Sequence, residues 1–180
     1  MPVAKTSRSA SRMDQFPNFY RVALLTQVAD TEQYTEWVTG YSIKDGYAFI
    51  IHKIKYRIAP LTRTLLNANN DQAIMGLVTN NTLTTPTLIA GISDSILDTC
   101  VLYHKEASSV GFRHDEIDII HDFSNEPGGG RIIAPKPLYL AISSVGAGNV
   151  IGGDMEIVYT MVKLSAEVYR ELYESMNPNA

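Results

Sequence analysis

The chain carries a single cysteine, Cys100, in 180 residues. That excludes an internal disulfide framework and any cysteine-rich zinc site. Cys100 sits in an apolar run without nearby cations, so it reads as a core thiol and not a nucleophile. Charge is scarce as well. Asp, Glu, Lys and Arg make up 19% of the residues, below the usual quarter or so. Ser, Thr, Asn and Gln must then supply much of the polar surface. No run approaches the roughly 18 apolar residues of a membrane-spanning helix. The N-terminus has no apolar core behind its basic residues, so it is not expected to be a secretory signal. The formal net charge of −4 argues against a body that binds nucleic acid generally.

Catalytic signatures are missing too. No serine sits in Gly-x-Ser-x-Gly. None of the four histidines, His52, His104, His114 and His121, forms a His-x-His pair. Gly128-Gly-Gly130 and Gly146-Ala-Gly148 are each followed by strand-like sequence, and no Gly-Lys-Ser/Thr is present. A phosphate cradle needs a helix there, with its N-terminal amides facing the anion. No enzyme and no cofactor is therefore expected.

What is present suits one globular domain. Hydrophobic residues are 45% of the chain, and a globule of this length buries roughly 70% of its unfolded surface without disulfide or metal. Residues 1–16 form an arm set apart from this body, residues 17–180. Lys5, Arg8 and Arg12 stand there among Ser, Thr and Ala, a composition that cannot bury a core. The arm is expected to be flexible or ordered by a partner. Its three cations are candidates for a weak contact with nucleic acid.

From Tyr20 the chain reads as strands. Arg21 to Ala29 is an apolar, β-permissive run, and Asp30-Thr31 can turn it. Tyr34, Trp37, Val38 and Tyr41 among threonines favour extended structure. In Tyr47 to Ile58, Ile50, Ile54, Tyr56 and Ile58 alternate with Lys53, Lys55 and Arg57. A period of two predicts the first set inward, with His52 on that face, and the cations outward. Pro60 ends the strand. Ala73 to Thr79 is a further strand, with Gly76 a bulge or a close approach. Leu88 to Tyr103 is read as a loop with a short helix and then a strand at Cys100 to His104. Ile117 to Phe123, Arg131 to Ala134 and Leu138 to Ser143 also read as strands. Asp154 to Leu164 is apolar on both faces, as a covered central strand would be. The period then changes to helical over residues 165–176, with Ser165 as N-cap. Short strands separated by turns, with a helix only at the end, predict an all-β antiparallel sandwich or barrel.

The densest polar cluster is His114, Asp115, Glu116, Asp118, His121 and Asp122. Carboxylates and imidazoles suit a divalent cation. The spacing matches neither His-Glu-x-x-His nor an EF-hand loop. A solvated acidic edge strand is one reading. A cation site at a subunit boundary, using His114, Asp115, Glu116 and Asp118, is the other.

The order of features resembles a known family. A short basic arm leads to Arg21-Val-Ala-Leu-Leu-Thr-Gln. Then come Lys44-Asp-Gly-Tyr-Ala-Phe-Ile-Ile-His-Lys-Ile-Lys-Tyr56, Pro127-Gly-Gly-Gly-Arg-Ile-Ile and Pro137-Leu-Tyr-Leu-Ala141. Met155-Glu-Ile-Val-Tyr-Thr-Met-Val-Lys-Leu164 and a Ser165-Ala-Glu-Val-Tyr-Arg-Glu-Leu172 helix follow. From about residue 20 to 176 this resembles the single jelly-roll capsid proteins of small viruses that infect bacteria or archaea. The resemblance implies a jelly-roll sandwich of two sheets and about eight strands. It implies a structural protein of the virion, many copies of which assemble into a shell around the genome, alone or with other capsid proteins. It carries over no functional residues, because capsid function resides in surfaces. Two other classes stay open. One is a β-sandwich binding module, such as a spike, tail or carbohydrate-binding domain, presenting Tyr34, Trp37 and Tyr41 near loop tips. The other is a small metal-dependent enzyme centred on His114 to Asp122.

Overall fold

The computed structural model describes residues 11–12, 17–26, 29–40, 46–58, 72–85, 88, 93–103, 118–126, 128–134, 137–146 and 150–175. Ten strands and one helix lie among them. The strands are β1 (Ser11–Arg12), β2 (Asn18–Leu25), β3 (Gln33–Trp37), β4 (Tyr47–Ile58), β5 (Gln72–Val78), β6 (Ile96–Tyr103), β7 (Asp118–Asp122), β8 (Arg131–Ile133), β9 (Leu138–Val145) and β10 (Gly152–Lys163). The helix is α1 (Ala166–Ser175).

All pairings are antiparallel. In the six-stranded sheet, β10 is central, with β2 and β1 along one side and β4 along the other; β7 and β8 follow one another along the far side of β4. The second sheet has the order β3-β9-β5-β6. From β2 onward the chain crosses between the sheets so that each holds strands from both ends of the sequence. This is the strand order of a jelly roll. The long strand expected to be covered on both faces is β10. It is central, but its outer face is covered by α1 only near Val162, and Asp154 and Glu156 stand outward farther along.

The core lies between the sheets. Leu24, Phe49, Ile51, Ile54, Tyr56, Met155 and Ile157 from the first meet Met75, Leu77, Leu138, Leu140 and Ile142 from the second, all buried. At one end Trp37 stacks on Tyr20 with ring centroids 5.1 Å apart and meets Tyr159 edge-on at 5.1 Å. A separate small cluster forms on the outer face of the six-stranded sheet. There Ala48, Ile50 and Val162 are covered by Leu164 and by Leu172 of α1.

That second cluster corrects the expected inward set of β4. Ile54 and Tyr56 face the core, but so do Phe49 and Ile51, while Ile50 faces outward beneath α1. The parity changes at a bulge. Val158 pairs with Lys53 and Tyr159 with Ile51, so His52 is an extra residue in β4. A bulge inserts one residue without a ladder partner and shifts the alternation beyond it. His52 is therefore not part of the core face. Its Nδ1–H donates to the Gly129 carbonyl at 2.8 Å, and the Thr160 hydroxyl donates to Nε2 at 2.9 Å. The Gly-rich turn is thereby tied to the central strand. Gly130 presses so close that a Cβ there would lie 2.6 Å from the Ile51 carbonyl oxygen.

Strand β6 begins at Ile96, earlier than the expected Cys100, and Leu97 is the extra residue of a bulge opposite Leu77 and Val78. Gly76 pairs with Thr99, and a Cβ there would lie 3.0 Å from the Asp98 carbonyl oxygen. The close approach wins over the bulge at that glycine.

Candidate functional site

A protein of this architecture offers surfaces, and among the described residues a regular array of paired charges lies on the outer face of the six-stranded sheet beyond α1. Pairing registers place twelve outward residues in three rows. They read Ala23, Asp154, Arg57, Asp118; then Arg21, Glu156, Lys55, Ile120; then Phe19, Val158, Lys53, Asp122. Each row runs across β2, β10, β4 and β7 in that order. Sign alternates by strand: β2 cationic, β10 anionic, β4 cationic, β7 anionic.

The side chains are knitted together. Arg57 donates to both oxygens of Asp118, at 2.8 and 3.1 Å, and Lys55 Nζ lies 2.6 Å from the same carboxylate. Hydrogen bonds from those two cations hold the Asp118 carboxyl well below the usual carboxylate range. Lys53 pairs with Asp122 at 2.9 Å, and Arg21 with Asp154 at 2.9 Å. The Ser124 hydroxyl, Lys53 and the Ser124 amide hold Asp122 down in the same way. A shallow depression opens between β2 and β4, lined by Arg21, Lys55, Arg57, Asp154 and Glu156.

Facing inward, a polar strut joins the sheets. Asp98 on β6 accepts from the Tyr56 hydroxyl at 2.6 Å and from His121 Nδ1 at 2.8 Å. Burial first, and then the Asp98 charge, push the Tyr56 phenol well up. Nearby, Arg131 on β8 donates to the carbonyl of Leu97, pairs with Glu126 at 2.9 Å, and lies 4.2 Å from the centre of the Phe123 ring. Burial raises the Cys100 thiol to about 11, with Asp98 adding to the shift, so it stays protonated.

Asp118 is already neutralised within the chain by Arg57 and Lys55. His114, Asp115 and Glu116 lie outside the described residues. Among the described residues no group of three His, Cys, Asp or Glu could hold a metal ion. His121 turns away from Asp118 and Asp122 to reach Asp98, as an extended strand predicts. Of the arm cations, Lys5 and Arg8 lie outside the described residues, while Arg12 pairs through its backbone with Val162. Trp37 is 3% exposed and belongs to the core. Tyr34 donates its hydroxyl to the Leu83 carbonyl at 2.5 Å, and Tyr41 lies outside the described residues.

Sequence reasoning missed Asp98, Arg131, Phe19 and Ile120. Ile120 had a signal: on an extended strand it shares the face of Asp118 and Asp122. The pairing of Asp98 with Tyr56 and His121 joins distant parts of the chain and has no local signature.

No protein-family model matches the chain, and no curated protein matches it. Among solved structures, Merkel cell polyomavirus VP1 in complex with GD1a oligosaccharide superimposes with a TM-score of 0.50 at 6% identity, covering 87% of this chain and 98% of that one. VP1 of the trichodysplasia spinulosa-associated polyomavirus gives 0.49 at 6% identity, covering 87% and 100%. A tomato aspermy virus structure gives 0.41 at 14% identity, covering 91% and 84%. Strand order and the first superposition agree that the chain has a jelly-roll fold, the fold of a polyomavirus VP1.

Proposed function

We propose that this chain is a capsid subunit, a structural protein of the virion whose copies assemble into a shell around the genome of a small virus of bacteria or archaea. The observation that carries the reading is the jelly-roll strand order, shared with a VP1 over 87% of this chain and 98% of the other. In this reading the work of the subunit falls to its surfaces. Scarce charge and a face with exposed Phe19 and Ile120 suit repeated subunit contacts. Modest contacts repeated by symmetry hold a shell without any one of them being large. Lys5, Arg8 and Arg12 are the residues assigned to weak genome contact, and other capsid proteins are admissible lattice mates. A cation at the subunit boundary, on His114, Asp115 and Glu116, would compete with Lys55 and Arg57 for Asp118.

The binding-module reading loses Trp37, which is buried. Tyr34 is half-buried against a small apolar cluster, with its hydroxyl held by the Leu83 carbonyl.

Size-exclusion chromatography and negative-stain microscopy of the purified chain, over a range of concentration and salt, test the proposal. Closed particles of uniform diameter are expected. A monomer or small oligomer under every condition would overturn it.

A further inference from the structure

Among the described residues, the strand-by-strand alternation of charge on the outer sheet ends at β2 on one side and β7 on the other, where β2 pairs only with β10 and β7 only with β4. The β2 edge ends in cationic Arg21 beside Phe19, and the β7 edge in anionic Asp118 and Asp122 around Ile120. Phe19 is 67% and Ile120 55% exposed. These are the two large apolar side chains standing out from the charged half of this face, one at each lateral edge. Arg21 is 55% exposed at its side chain.

We propose that copies of this chain meet edge to edge and head to tail, the β7 edge of one against the β2 edge of the next. The contact rests on the self-association proposed above and names its surface. It continues the series of signs from one subunit into the next, because the anionic end of one sheet meets the cationic end of another. A neighbour shifted by one row along the strand places its Phe19 beside Ile120 and its Arg21 beside Asp118. Unshifted, Phe19 faces Asp122 and Arg21 faces Ile120, which matches neither pair. A head-to-tail contact uses two different patches and closes into a ring when the rotation between copies allows.

The charge balance of this face also selects the kind of partner. Arg21, Lys53, Lys55 and Arg57 balance Asp118, Asp122, Asp154 and Glu156, so the face has no net charge to draw a polyanion. A partner with its own alternating strands fits it, and complementary charge sets orientation more than strength. Face-to-face stacking of two such sheets is obstructed by α1, which stands about one helix diameter above the sheet. Among the described residues, no further strand covers the β2 and β7 edges beside it.

Cysteine cross-linking tests the contact against a quiet background, because Cys100 is the only native cysteine and is buried. Phe19 and Ile120 of one chain are three strand spacings apart, about 14 Å, too far for an intrachain disulfide. Phe19→Cys mixed with Ile120→Cys should give disulfide-linked dimers, while neither variant alone should. The double variant should give a ladder of multimers, and adding Arg21→Glu should cut the ladder at least fivefold. Val168→Cys mixed with Ile120→Cys, exposed positions that the contact does not join, should stay unlinked. Both cysteine sites are exposed, and thermal melting confirms that each variant is folded. Linkage is scored on concentrated soluble subunits as well as on particles. Particles without Phe19–Ile120 linkage, or Phe19→Cys linking to itself as readily, overturn the contact and leave the capsid reading standing. Linkage without particles under any condition upholds the contact and removes the capsid reading.

Discussion

At the scale of single residues, the outer face is an ion lattice whose members differ in how firmly they are held. Asp118 is the best fixed, since a guanidinium fork and an ammonium converge on it. Exposed pairs contribute little, but bidentate geometry within a network is the favourable case. The folded carboxyl is held below its unfolded value, near 3.9. Its contribution is therefore full at neutral pH and is lost as pH falls below about 4. Asp118→Asn should lower stability at pH 7 by about 1 kcal/mol or less. Denaturant titrations at pH 7, 5 and 3 should show that gap narrowing on acidification. A gap that stays constant or widens toward pH 3 would show that the ion pairs are not its source.

At the scale of elements, β4 carries the fold's main decision. Its core residues fall into two sets of opposite parity, Phe49 with Ile51 and Ile54 with Tyr56, and His52 between them reconciles the two. Removing His52 would leave a strand of strict alternation with all four still inward and Lys53, Lys55 and Arg57 still outward. Deletion of His52 should therefore yield a folded protein. The loss should be that of the bonds from His52 to Gly129 and Thr160 and of the Phe123 amide to the His52 carbonyl, about 2–3 kcal/mol at roughly 1 kcal/mol each. Chemical denaturation and backbone circular dichroism check this. An unfolded product would mean that the bulge is needed for registering β7 and β8 along β4, beyond hosting the imidazole. The same bulge explains why the imidazole was misread. Period two predicts a face only while the ladder is regular, and nothing local in Ile50-Ile-His-Lys-Ile54 marks the interruption.

At the scale of the whole molecule, two sheets enclose one core. Of the arm, the described residues Ser11 and Arg12 pair with β10, at Lys163 and Val162. Deleting residues 1–13 removes two residues of ladder and no described core side chain. The melting temperature should stay within a few degrees of wild type, while particle yield by light scattering should change if the arm works between subunits or on the genome. Loss of the folded state on deletion would show that the arm belongs to the body.

The sequence by itself determined what depends on near neighbours along the chain. Alternation marked β4 and β7, mostly apolar composition marked β10 as a long central strand, and Ser165 with the change of period marked α1. Asp30, with φ of 55°, turns the chain between β2 and β3 where Asp-Thr predicted a turn. These follow from the period of side chains and from backbone preference. Only the tertiary structure decided which groups meet across long stretches of chain. Trp37 reads equally as a loop-tip ligand platform or a core residue until Tyr20, Phe49 and Tyr159 close around it. Asp118 has no visible partner in the sequence until β4 lies beside β7 and supplies Arg57 and Lys55. Asp98 has no visible task until Tyr56 and His121 arrive from the opposite sheet. In a jelly roll most pairings are between distant strands, so the partner of a side chain is set by topology, and its chemistry follows from the partner.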